Sequence, residues 1–183
     1  TYFFSCFESA DSQRSVIHPA TLPPTSTPTM QNQNLHLVVV TGASSGIGAA
    51  TVISFCQAGY PVLALARRKN KLDEVVSSAA FAVATSATAS SSDQADQDEK
   101  YKAPLAIQLD VTDGEAFKKA IVDGEAHFGV PTGCLVNNAG CMLLGNLADQ
   151  KSDEWSRMLQ VNVIGVMNGI QAVLSDMITR KNG

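Results

Sequence analysis

Three glycines fall within seven positions, Gly42, Gly46 and Gly48, between a continuous apolar run at residues 35–41 and a segment that reads as helix from Ile47 onward. This turn constrains the fold more than any other feature of the chain. A Gly-rich strand-to-helix connection brings backbone N–H groups and the positive end of a helix dipole against an anion, which a Cβ on Gly46 or Gly48 would obstruct. Beyond it, short apolar runs alternate with helical segments, the pattern of repeated βαβ units on a parallel sheet. The expected strands are residues 35–41, 60–66, 105–110 and 133–137, the first apolar throughout, as suits a strand covered on both faces. The helix at 47–58 is apolar nearly all round, so it is expected to lie buried and to end at Gly59, where positive φ costs least. Phe117, Ile121, Gly124 and Phe128 share one helical face, and a further long helix is expected over 152–180.

The 183 residues, 45% of them apolar, suffice for one core. Residues 1–33 are rich in Ser, Thr, Pro and Gln, and Pro23, Pro24 and Pro28 rule out regular structure, so a disordered tail is expected. Met30 stands just upstream of the first strand and is the expected natural start. The Ser-rich, acidic-poor tail partly fits a transit peptide but carries only Arg14, so a cytoplasmic protein is the expectation, with organellar import as the open alternative. Residues 34–183 form the domain, interrupted at 77–100 by an Ala/Ser tract and an acidic run that read as an exposed insertion. The formal charge of -4, with only Arg67, Arg68, Lys69 and Lys71 as a basic cluster, speaks against nucleic acid. The apolar stretches at 37–40 and 161–167 are too short for a bilayer span, so no membrane partner is expected. Cys6, Cys56, Cys134 and Cys141 form no C-x-x-C pair; reduced thiols and no metal site are expected.

The spacing Gly42-x-x-x-Gly46-x-Gly48 behind Thr41, including Ser44, Ser45 and Ile47, resembles the T-G-x-x-x-G-I-G motif of the short-chain dehydrogenase/reductase family. Asp110-Val111, after the third strand, is similar to the pair that the family places against adenine. Asn137-Asn138-Ala139-Gly140, after the fourth, resembles its N-N-A-G motif, which supports the sheet and lines the nicotinamide side. Each match alone has a plain reading as turn chemistry. Their joint order favours the family. The resemblance implies a Rossmann-like doubly wound parallel sheet, incomplete at its C-terminal side. At the end of the second strand, where NAD binders usually carry an acid, stands Ala66, followed by Arg67 and Arg68. A guanidinium there can take a 2′-phosphate through a charge-assisted fork, which favours NADP.

The family moves a hydride between nicotinamide and a small-molecule carbonyl or alcohol. It does so with a Tyr, a Lys, a Ser and a helical Asn that anchors a relay water; Asn162 matches the Asn. No Tyr-x-x-x-Lys pair exists, because Ala64 and Leu105 stand four positions after Tyr60 and Tyr101. The expectation is the N-terminal, coenzyme-binding portion of an NADP-dependent oxidoreductase, inactive as given and homo-oligomeric when full length. The alternatives are a non-catalytic NADP-binding regulatory protein and a non-functional truncated product. Met142, Leu143 and Leu144 suggest one apolar wall of a substrate pocket.

Overall fold

The computed structural model describes residues 35–87 and 103–183. In chain order the elements are β1 (Leu37–Thr41), α1 (Gly46–Gln57), β2 (Val62–Ala66), α2 (Lys69–Ala87), β3 (Leu105–Gln108), α3 (Gly114–Phe128) and β4 (Thr132–Val136). They are followed by α4 (Ser152–Leu159), a π turn (Gln160–Ile164) and α5 (Gly165–Arg180). The four strands are parallel in the order β3-β2-β1-β4, so the chain builds outward from β1 to one side and then returns to the other. This is a Rossmann-like sheet with helices on both faces.

Burial explains the strand composition. Every residue of β1 and β2 is buried, which is why LVVVT and VLALA lack polar alternation, whereas the outer strands β3 and β4 are only partly covered. Side chains alternate between two layers. Leu37, Val39, Leu63 and Leu65 pack with Phe117 and Ile121 beneath α3 and α5, while Val38, Val40, Val62 and Ala64 pack with Val52, Cys56 and Leu72 beneath α1 and α2. All four residues expected on one face of α3 are buried, and Asp113 caps that helix by accepting from the Ala116 N–H at 2.9 Å. The β1–β4 ladder slips between Leu37 and Val38, pairing Leu37 with Thr132 and Val38 with Cys134. Gly133 is the extra residue, and a Cβ on it would stand 2.5 Å from the His36 Cβ.

Four expectations change. Residues 77–87 continue α2 instead of leaving it, because the Ala-rich tract has high helix propensity and Ala79 buries against the sheet beside Leu72. Residues 88–100 of the expected insertion, like the expected tail at 1–33, lie outside the described residues. Helix α1 is not buried all round: Gly48, Val52 and Cys56 face the sheet, Ile53 and Phe55 pack at the margin, and Ile47 is exposed. Its expected stop holds, with Gly59 at φ +82°. The helix at 152–180 contains a π turn, and its last turn closes on Lys181 at φ +54°. Finally, although no continuous apolar run is long, Ser152–Arg180 spans 29 residues and is apolar enough to cross a membrane by length and composition. It also packs on the sheet and α3, burying Val161, Gly165, Gly169 and Val173.

Candidate functional site

A cleft of about 410 Å³ opens at the carboxyl ends of the strands, where the chain passes from β1 to its neighbours on either side. Crevices at such a switch in strand order are where open α/β sheets bind ligands. Of the residues singled out from sequence, Gly42, Ser44, Ser45, Ile47, Arg67, Arg68, Asp110, Val111, Ala139 and Gly140 line it, together with Ala66, Asn138 and Val161. Gly46, Gly48, Asn137 and Asn162 do not.

The glycines have three separate reasons. Gly42 has φ +66°, and a Cβ there would come within 2.8 Å of the Ala139 Cα, so it permits both the turn and the approach of the β4 loop. Gly46 has φ +57° with nothing within 4 Å of a Cβ, which leaves the N-terminus of α1 open to solvent. Gly48 differs from the sequence reading: a Cβ there would meet the Gly42 carbonyl oxygen at 2.4 Å, so it serves the packing of helix on loop rather than the approach of a ligand.

Thr41 and Asn138 stitch the glycine turn to the β4 loop. The Thr41 hydroxyl donates to the Val136 carbonyl at 3.3 Å and accepts from the backbone N–H groups of Asn138 and Ala139, each at 3.0 Å. The Asn138 side-chain Nδ2 donates to the Thr41 carbonyl at 3.0 Å and to that of Gly42 at 3.4 Å. Sequence alone places Asn138 in the N-N-A-G stretch without giving it a duty of its own. The doubled Asn carries the signal, since successive side chains leave a strand end in different directions. Asn137 accordingly turns away from the cleft, its Oδ1 standing 2.8 Å from where a Cβ on Gly169 would be.

The two arginines part company. Arg68 reaches back over the glycine turn, donating from Nη2 to Ser44 Oγ at 3.0 Å and to Ser45 Oγ at 2.7 Å, with Nε also 3.3 Å from Ser44. Ser44 is buried and Ser45 exposed, so the guanidinium sits at the lip of the cleft. Arg67 instead faces Asp110 across 4.0 Å with both side chains about half exposed, a contact that water screens. Lys69 pairs with Asp73 and Lys71 with Glu74 along the exposed side of α2, the ordinary solvated reading of that cluster. Asp110 also opens a turn: its Oδ1 accepts from the Thr112 N–H at 3.0 Å and from the Thr112 hydroxyl at 2.9 Å.

Asn162 lies in the π turn. Its Oδ1 accepts from the Cys141 N–H at 2.9 Å and its Nδ2 donates to the Cys141 carbonyl at 2.7 Å, a reciprocal pair that straps the helix to the loop just past Gly140. The amide is exposed rather than lodged among the neighbouring valines, because the extra residue of the π turn buries Val161 and rolls Asn162 outward. The loop itself is held by Gln150, which donates to the Leu143 carbonyl at 2.6 Å and accepts from the Trp155 indole at 2.8 Å. Met142 and Leu144 are exposed and Leu143 half-buried. Among the described residues no group of His, Cys, Asp or Glu is placed to hold a metal ion.

A family model described as short chain dehydrogenase matches residues 36–104 and 82–183. An uncharacterized oxidoreductase of Listeria innocua is 34% identical over 147 residues, covering 80% of this chain and 52% of the relative. A short chain dehydrogenase of Pseudocercospora fijiensis is 35% identical, covering 79% and 41%. Among solved structures, a short-chain dehydrogenase from Streptomyces avermitilis superposes with a TM-score of 0.64 at 29% identity, covering 84% of this chain and 48% of that one. The chain thus spans about half the length of the curated relatives it matches.

Proposed function

Since the chain belongs to the short-chain dehydrogenase family, we propose that it carries the coenzyme half of an NADP-dependent oxidoreductase, one that moves a hydride between nicotinamide and a carbonyl or alcohol. The observation that carries the choice of coenzyme is Arg68, whose guanidinium reaches the Ser44 and Ser45 hydroxyls at the lip of a cleft whose β2 end, Ala66, bears no carboxylate. The residues present fit such a group. Gly46 leaves the N-terminus of α1 open, so a pyrophosphate finds backbone N–H groups and the helix dipole without steric obstruction. Arg68, Ser44 and Ser45 form a donor set suited to a 2′-phosphate, with Arg67 beside it. Asp110 and Val111 wall the adenine end; Ala139 and Gly140 wall the nicotinamide end.

When bound, the dinucleotide supplies the hydride chemistry. This chain's residues bind and orient it, and Asn162 holds the loop past Gly140 through the backbone of Cys141. The Ser and the Tyr-x-x-x-Lys pair that the family uses on the substrate have no match in the 183 residues. The binding chemistry these residues do carry also suits a second reading, a coenzyme-binding regulatory protein without catalysis. The two readings share the binding step and part at turnover with a carbonyl substrate.

Calorimetric titration with NADP and NAD tests the shared step. NADP is expected to bind at least about tenfold more tightly, and Arg68→Ala to remove most of that preference, as removal of a charge-assisted hydrogen bond implies. Equal or tighter binding of NAD by the unaltered chain refutes the NADP assignment.

A further inference from the structure

Three features bring the long helix against the turn that follows β3. Val161, in the π turn, lines the cleft beside Val111. One turn later, Gly165 lies so close that a Cβ would stand 2.5 Å from Val111 Cγ2. One turn further, Asn168 donates from Nδ2 to the Val111 carbonyl at 2.9 Å, in a part-buried contact, while its Oδ1 lies 3.1 Å from where a Cβ on Gly114 would be. The Asn168 amide therefore seats on both ends of the turn between β3 and α3, and the small residues Gly114 and Gly165 are what let it do so.

We propose that Asn168 is a positioning residue for the adenine end of the cleft, an inference that rests on the dinucleotide reading above. Among the described residues the turn meets, across the cleft, only the half-exposed Arg67 side chain at 4.0 Å from Asp110, and, Asn168 apart, its other bonds are to its own residues and to the adjoining ends of β2 and α3. Val111 is buried by the long helix and held there by the Asn168 donor. Removing that donor frees the Val111 carbonyl and loosens the wall against which an adenosine stacks. The glycine turn is stitched separately, to the β4 loop, so its affinity for phosphate stays the same. Asn168 touches neither phosphate nor base; it acts through the main chain of Val111.

The test is an NMR titration of the chain, with and without Asn168→Ala, using 2′,5′-ADP and inorganic pyrophosphate as separate probes. Asn168→Leu, close to it in shape and without a donor or a charge, guards against a fold lost in the alanine variant. The expected result is a 2′,5′-ADP dissociation constant raised about five- to tenfold in either variant, the effect of removing one hydrogen bond behind the adenine wall, with pyrophosphate affinity unchanged within about twofold. A merely structural role would weaken both probes together, and that outcome overturns the proposal. So does an unchanged 2′,5′-ADP affinity. If the unaltered chain binds pyrophosphate but not 2′,5′-ADP, the dinucleotide reading itself fails, whatever Asn168 does.

Discussion

The two faces of the sheet are finished to different degrees. On the α1/α2 side, Val38, Val40, Val62, Ala64 and Leu72 are all but fully buried, and Ile53, Phe55 and Val75 close the margin around them. On the other side the inner ridge of the long helix is equally well seated, through Val161, Gly165, Gly169 and Val173. Its outer ridge is not. Leu159, Val163, Met167, Leu174 and Ile178, spaced at four residues with one longer step, remain between 47% and 66% exposed. The contrast separates what the cleft proposed for the coenzyme needs from what the outer face of the long helix needs. The glycine turn, Arg68 and the β2 end all stand on the closed layer, so they are assembled by residues already in the chain. An apolar ridge of five large side chains is instead a surface that association covers, and homo-oligomerisation is the proposal it supports.

The largest effect should come from cutting the closed layer. Leu65 in β2 is fully buried, and Leu65→Ala should cost about 2–5 kcal/mol through reduced burial and the cavity left behind. Leu174→Ala, on the open ridge, should cost less than about 1 kcal/mol because that side chain is already half in water. Urea unfolding at two protein concentrations checks both. Comparable losses at both sites, growing with concentration for Leu174, would show that a second copy covers the ridge and that the open layer is closed in solution.

A second pair sharpens the contrast within the cleft. Gly48 and Gly46 are two positions apart, yet a Cβ at the first meets backbone at 2.4 Å and at the second meets nothing. Gly48→Ala should therefore destabilise by about 2–3 kcal/mol by forcing loop and helix apart, whereas Gly46→Ala should lose only about 1 kcal/mol, the strain of φ +57° for a residue with a Cβ. Coenzyme affinity should run the other way per unit of stability lost, with Gly46→Ala intruding on the open phosphate position. Thermal melts with and without NADP separate the two effects, and identical behaviour of the two variants would refute the division of labour.

How much of this is legible in the sequence follows from the range of the forces involved. The order of strands and helices is readable because β1 and β2 are covered on both faces and because the buried face of α3 repeats at helical spacing. Ends are less readable: 60–66 shortens to Val62–Ala66, and 105–110 to Leu105–Gln108, since Asp110 spends its carboxylate on a turn rather than extending the strand. The continuation of α2 through 87 escapes a sequence reading because Ala/Ser composition resembles a linker until burial of Ala79 decides otherwise. At the site, the glycine spacing locates the loop, but the separate duties of Arg67 and Arg68 depend on which way two adjacent side chains leave a strand end. The Asn168 contact joins positions 57 residues apart and has no local pattern at all. The π turn is likewise a tertiary outcome: Gln160–Ile164 is rich in β-branched residues and holds an Asn, a composition that weakens an α-helix without specifying a π turn.

The smallest predicted effect bears on the strap between the π turn and the loop after β4. Asn162 makes two good hydrogen bonds to the Cys141 backbone, at 2.9 and 2.7 Å, but its side chain is exposed, so water can replace much of what Asn162→Ala removes. The global cost should be about 0.5–1 kcal/mol, near the net worth of ordinary hydrogen bonds. The local cost should be larger in relative terms, because the Cys141 N–H loses its acceptor while the N–H groups of Asn138 and Ala139 keep theirs on the Thr41 hydroxyl. Amide exchange is expected to accelerate at Cys141 and to stay slow at Asn138 and Ala139. If all three accelerate together, the glycine turn and the π turn form one cooperative unit, and the glycine turn too depends on the open layer. If only Cys141 responds, Thr41 and Asn138 hold the glycine turn without the strap, and Asn162 acts on the loop past Gly140 alone.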